Sequence, residues 1–166
     1  MSQQEIWLSG PIPEIPALLQ PAAHALLQSV REVKEYLLDF PEDKLWETPF
    51  NRAAVGFHLQ HLTGVLDRML TYAQEKSLSE EQFNFLKIEK NSKVKKTSTE
   101  MITAFELKVD EALNYFKSIP ENTLTELRTI GRKKLPSTLI GLLFHAAEHS
   151  QRHVGQLLVT VSALKA

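Results

Sequence analysis

Three histidines spaced four apart, His145, His149 and His153 in HAAEHSQRH, would stack along one stripe of a helix. Two more, His58 and His61, lie in HLQH, so five of the six histidines in the chain sit in two short segments. Neutral imidazole is the commonest protein ligand for first-row metals. Side chains at i and i+4 on a helix lie roughly 6 Å apart, close enough to share one ion. All three cannot do so, because His145 and His153 are separated by about 12 Å along the axis at about 1.5 Å per residue. The last helix can therefore supply a pair that contains His149, and further ligands must come from HLQH. A single helical histidine is ordinarily a surface or boundary residue, and the isolated His24 is read that way.

Helices must carry these side chains. Val55, Leu59, Leu62, Leu66, Met69 and Ala73 recur at helical intervals and predict a helix over about 53–75 that carries HLQH. Leu26, Leu27, Val30, Val33, Leu37 and Leu38 predict another over about 21–39, with Pro21 tolerated in its first turn. Met101, Phe105, Val109, Leu113 and Phe116 predict a third over 97–118, ended by Pro120. Ser137 or Thr138 caps the last, which runs to about residue 164. Ser79 and Gln82 have capping-box spacing, which suits a brief extra helix in LSEEQFNFLKIEK.

Between these, Pro11, Pro13, Pro16 and Pro21 keep the first twenty residues mostly extended. FPEDKLWETPFNR reads as a loop, KNSKVKK over 90–96 as an exposed linker, and PENTLTELRTIGRKKLP as a connection, since no strand-like alternation persists. The expected fold is an all-α four-helix bundle with long connections and one short extra helix, a single domain over 1–166. Bundle cores are common places to build metal sites from facing helices.

A helical wheel orders the histidines. Leu139, Leu143, Ala147, Val154, Leu157, Leu158 and Val161 define the apolar face of the last helix. His153 lies roughly 80° from its centre, His149 about 120° and His145 about 160°. On the second helix His58 lies some 60° from the apolar centre and His61 about 120°. The wheel thus favours His58 as the buried one and leaves open whether it is a ligand or a core residue.

With 19 Lys+Arg against 20 Asp+Glu and a net charge of −1, the chain has no broad electrostatic footprint for DNA or an anionic membrane. Cysteine is absent, which removes disulfides and thiolate zinc sites and leaves a metal to histidine and carboxylate. The N-terminus has neither a basic region nor an apolar run long enough for a signal or spanning helix. The expectation is a cytoplasmic protein without nucleic-acid or membrane partners.

The residues resemble the DinB/YfiT-like four-helix bundles assigned as metalloenzymes. That family carries a histidine on its second helix in a pattern like VGxxxxHL, matched by Val55-Gly56 to His61-Leu62, and an HxxxH pair followed by GQ, matched by His149, His153 and Gly155-Gln156. The resemblance covers nearly the whole chain, and the stretch from His149 to Leu157 is its most specific part. By position it implies a metal, zinc or nickel, held by His61, His149 and His153, with His58 and His145 around them as supports for those rings or as alternative ligands. It also implies thiol transfer or thiol-dependent isomerisation using a low-molecular-weight thiol such as bacillithiol or mycothiol. The family often has an acidic residue about five positions after the second-helix ligand; this chain has Leu66 there, beside Asp67.

Three imidazoles leave a zinc-like ion an open fourth position for water or a thiol, whose pKa the ion lowers. Glu148 and Gln156, next to the ligand stripe, are candidates to orient ligands or move a proton; the plainer reading of each is a helix-surface residue. The expected protein is a divalent-metal-dependent enzyme, a thiol transferase acting on a small-molecule substrate, working as a homodimer. Two other readings stand beside it. HAAEH matches the H-x-x-E-H zinc-protease pattern, with His145 and His149 as ligands and Glu148 as base, but no Asp or Glu follows Glu148 to complete that hydrolase site. A non-catalytic metal-binding or stress-related bundle that acts through dimerisation or a partner is the third, separable by whether the ligand shell is closed or open.

Overall fold

A computed structural model describes residues 4–91 and 95–165 of the chain. It is 68% helical, with five α-helices and one two-stranded sheet among the described residues, and it is an all-α bundle. In chain order the elements are α1 (Gln20–Tyr36), α2 (Val55–Ala73), α3 (Glu80–Ile88), α4 (Ser98–Lys117), β1 (Leu127–Ile130), β2 (Leu135–Thr138) and α5 (Leu139–Lys165). The stretch expected as an exposed linker, 90–96, lies partly outside the described residues.

Local chemistry accounts for the helix starts. Pro21 stands in the first turn of α1, where its missing N–H costs nothing. Ser79 with Gln82 opens α3 and Thr97 with Glu100 opens α4, each as a reciprocal capping box. Thr138 Oγ1 accepts the Gly141 N–H at 3.1 Å and so caps α5.

The four long helices form a closed ring in which α5 packs on α1 and α2, and α4 packs on α2 and α1. Leu26, Leu59, Leu62, Leu66, Phe105, Phe116, Leu143 and Leu157 are buried at its centre. Each such aliphatic side chain stabilises the fold by about 1.5–3 kcal/mol relative to exposure. The short α3 packs on α2. Among the described residues no helix is long and apolar enough to cross a membrane.

Two connections differ from the sequence expectation. Residues 127–138, expected as a connection without strands, form an antiparallel hairpin that pairs Leu127 with Thr138 and Ile130 with Leu135. Its burial inverts the usual signal, because Arg128 is buried while Leu127 and Leu135 are exposed. Arg128 Nε reaches the Ala73 carbonyl at the end of α2, so a cation anchors the strand where an apolar side chain would be expected. At the other end of the chain, the proline-rich segment before α1 contains two 3-10 turns, Ile6–Ser9 and Ala17–Leu19.

Candidate metal centre

On α5, Leu139, Leu143, Ala147, Val154, Leu157 and Val161 lie in the core, which leaves His149 and His153 half-buried at the edge of that stripe. The facing edge of α2 presents His61, also half-buried, with Leu59 and Leu62 in the core on either side. The result is a cluster of three imidazoles, His61, His149 and His153, whose candidate ligand nitrogens all lie within 4.8 Å of one another. His61 Nε2 and His149 Nε2 are 3.0 Å apart. The rings of His61 and His153 have centroids 4.4 Å apart, and those of His149 and His153 4.6 Å.

Hydrogen bonds orient two of the rings. His61 Nδ1 lies 2.8 Å from Glu89 Oε2. Since a carboxylate only accepts, Nδ1 carries the proton and the Nε2 lone pair points at His149. His153 Nδ1 faces His58 Nδ1 at 3.0 Å, a bond in which one ring must donate. His58 is 1% exposed, and burial, with His61 nearby, pushes its pKa down to about 4. Burial and then His61 push His149 to about 4, and burial with His61, His149 and His58 pushes His153 to about 3. His58, His149 and His153 are therefore neutral near pH 7, the form in which imidazole ligates metal.

The sequence profile of the DinB superfamily matches residues 25–157, from within α1 to within α5. The chain belongs to the DinB superfamily. No curated protein matches it. The matched span holds every histidine of the cluster.

Within this DinB protein the three imidazoles fit a divalent cation on two counts. Among the described residues His149 Nδ1 is a buried nitrogen with no hydrogen-bond partner, so the one polar contact of this ring is through Nε2, toward His61. The 3.0 Å Nε2 pair is close to the roughly 3.3 Å edge of a tetrahedron with bonds of about 2.0 Å. His58, which the wheel left open, meets the cluster through His153 Nδ1. His145 lies farther out with its side chain 45% exposed, and its Nδ1 pairs with Glu148 Oε1 at 2.8 Å.

His145, Glu148 and His149 also bring possible ligand atoms together. Glu148, however, is gripped by Arg152 at 2.7 and 2.5 Å. Burial raises its pKa, but Arg152 and His145 outweigh that and lower it. This H-x-x-E-H set thus has a guanidinium on its carboxylate, which opposes a second cation. Gln156 is exposed.

Several site residues carried no signal in the sequence. Glu89 follows the short α3 and is 28 positions from His61. Arg68 NH1 holds the other oxygen of Glu89 at 2.6 Å, and Gln60 Nε2 donates to its backbone carbonyl at 3.2 Å. Asp67, noted as the acidic neighbour of Leu66, instead accepts from Gln82 and Lys108, and Leu66 is core. Phe57 stacks on His61 with centroids 5.2 Å apart and meets His153 edge-on at 6.1 Å. Lys90 Nζ stands 5.6 Å from the centre of the same ring. Two concavities, of about 570 and 350 Å³, lie elsewhere, against the hairpin and beside Trp7 and His24.

Proposed function

We propose that His61, His149 and His153 hold one divalent cation, zinc or nickel, and that the protein is a metal-dependent enzyme transferring a low-molecular-weight thiol to an electrophilic small molecule. The observation that carries this reading is the convergence of three ring nitrogens within 4.8 Å, two of them 3.0 Å apart, from helices distant in sequence. A cation bound by three imidazoles supplies Lewis acidity at an open position, where a thiol or water loses its proton more readily.

The residues of the chain do the rest. Glu89 keeps the His61 proton on Nδ1, and His58 pairs with Nδ1 of His153, which leaves Nε2 of these two rings for the centre. Phe57 covers one side of the cluster, and the Lys90 ammonium over the same ring adds a positive charge suited to an anionic thiol. With no cysteine in the chain, the sulfur nucleophile must be a cosubstrate.

Metal analysis of protein purified without an affinity tag is expected to return one zinc or nickel per chain. His149→Ala and His153→Ala are each expected to abolish that occupancy, and full occupancy in both overturns the assignment. The loaded protein is then expected to accelerate conjugation of bacillithiol, mycothiol, glutathione or coenzyme A to an electrophile, with no acceleration by chelated protein. Metal binding without any such rate moves the reading to hydrolysis or to a non-catalytic metal-binding bundle.

A further inference from the structure

The α3 helix buries none of its own residues, yet Glu89, directly after it, is 2% exposed. A buried carboxylate is expensive unless its oxygens are paired, and every polar group of Glu89 facing α2 is used. Oε2 accepts from His61 Nδ1 at 2.8 Å, Oε1 from Arg68 NH1 at 2.6 Å, and the backbone carbonyl from Gln60 Nε2 at 3.2 Å. A Cβ at Gly64 would run into this carboxylate and come within 2.7 Å of the Phe85 ring, so α2 leaves a notch where Glu89 enters. Gln60, His61, Gly64 and Arg68 thus form a receptor on α2 for one side chain. Its anionic end touches the only imidazole that α2 contributes to the cluster.

We infer that Glu89 is the positioning residue of this centre: its carboxylate holds His61 with Nε2 aimed at His149 and thereby ties cation affinity to the docking of α3 on α2. The inference rests on the proposed metal reading. A carboxylate behind a ligand imidazole fixes its tautomer and raises its basicity. Because the same carboxylate also anchors α3, linkage requires the reverse effect, with cation binding stabilising the docked helix. A purely structural anchor would secure α3 and leave His61 indifferent.

Three readouts on the full chain separate these cases: zinc affinity by competition with a chromophoric chelator, the His61 ring tautomer of metal-free protein by nitrogen-15 NMR, and amide exchange across residues 80–88 with and without zinc. Glu89→Ala is expected to weaken zinc about 10–100-fold and to release His61 from the Nδ1–H tautomer. Glu89→Gln, whose single amide oxygen can accept from His61 only with its NH2 turned toward the Arg68 guanidinium, is expected to fall between wild type and Glu89→Ala. Zinc is expected to slow exchange in 80–88 in the wild type and not in Glu89→Ala. If Glu89→Ala leaves Arg68 unpaired and fails to fold, the double variant Arg68→Met with Glu89→Leu removes both charges and is expected to show the same loss of affinity. Wild-type protein that binds neither zinc nor nickel overturns the metal reading itself. Wild type that binds zinc, with folded variants that bind equally and keep the His61 tautomer, overturns the role of Glu89 alone.

Discussion

His58 and His145 flank the same three imidazoles and have opposite surroundings. His58 is buried against His153, whereas His145 is half-exposed and paired with Glu148. Removing His58 leaves His153 Nδ1 without its partner, so His58→Ala is expected to weaken zinc about 10–100-fold without abolishing binding. His145→Ala is expected to leave zinc affinity unchanged; calorimetric titration of the two variants checks both, and equal effects would contradict the assignment. The same rings set a pH dependence. His58, His149 and His153 have folded-state values of about 4, 4 and 3 against an ordinary 6.5, so below pH 6.5 the unfolded chain binds protons that the folded chain refuses. The metal-free protein is therefore expected to be most stable above pH 6.5 and to lose stability progressively down to about pH 4. A urea midpoint that stays flat across that window would show that the rings titrate alike in both states.

Two glycines test how the helices are fitted together. Gly64 lies where α2 receives Glu89 and Phe85, so Gly64→Ala is expected to destabilise the protein by about 1–3 kcal/mol through overpacking and to undock α3. Gly155 lies on the exposed side of α5 with nothing within 4 Å of an added Cβ. Gly155→Ala is thus expected to stabilise by about 0.5–1 kcal/mol, the ordinary gain for a helix interior. Denaturant unfolding of both variants measures these signs, and destabilisation by Gly155→Ala would point to an unseen close approach of backbone at the GQ step. The caps behave as short-range chemistry requires: Ser79 and Thr97 each bond the N–H three residues on. The hairpin does not, because a buried Arg128 beside an exposed Leu127 reverses the pattern that marks a half-buried strand.

At the scale of the molecule, the histidine cluster joins α2 to α5 across 88 residues of sequence, in a bundle where those two helices already pack together. A cation held there is a cross-link present in the folded state alone. At a free zinc concentration about one hundred times the dissociation constant it would add about 2.7 kcal/mol to the unfolding free energy. Addition of chelator is expected to lower the melting temperature of the purified protein, and zinc is expected to restore it. His149→Ala protein should melt at one temperature with or without zinc. An identical response of wild type and variant would show that the cation acts away from the cluster.

What the amino-acid order determined by itself was short-range. Apolar residues three and four apart, Pro21 in a first turn, the capping box of Ser79 with Gln82 and the four-residue spacing of His149 and His153 are all relations within one or two helical turns, and each is set by helix geometry alone. The resemblance of the His61 and His149–His153 segments to the DinB pattern was legible for the same reason. The tertiary structure decided which rings meet. It set His58 against His153, turned His145 outward to Glu148, and brought Glu89 from beyond α3 to His61 and Arg68. Those pairings span 95 residues for His58 with His153 and 28 for His61 with Glu89, and no local period encodes them. They follow from the packing of α2 with α5 and α3, where the buried Glu89 carboxylate is tolerated because both of its oxygens are paired.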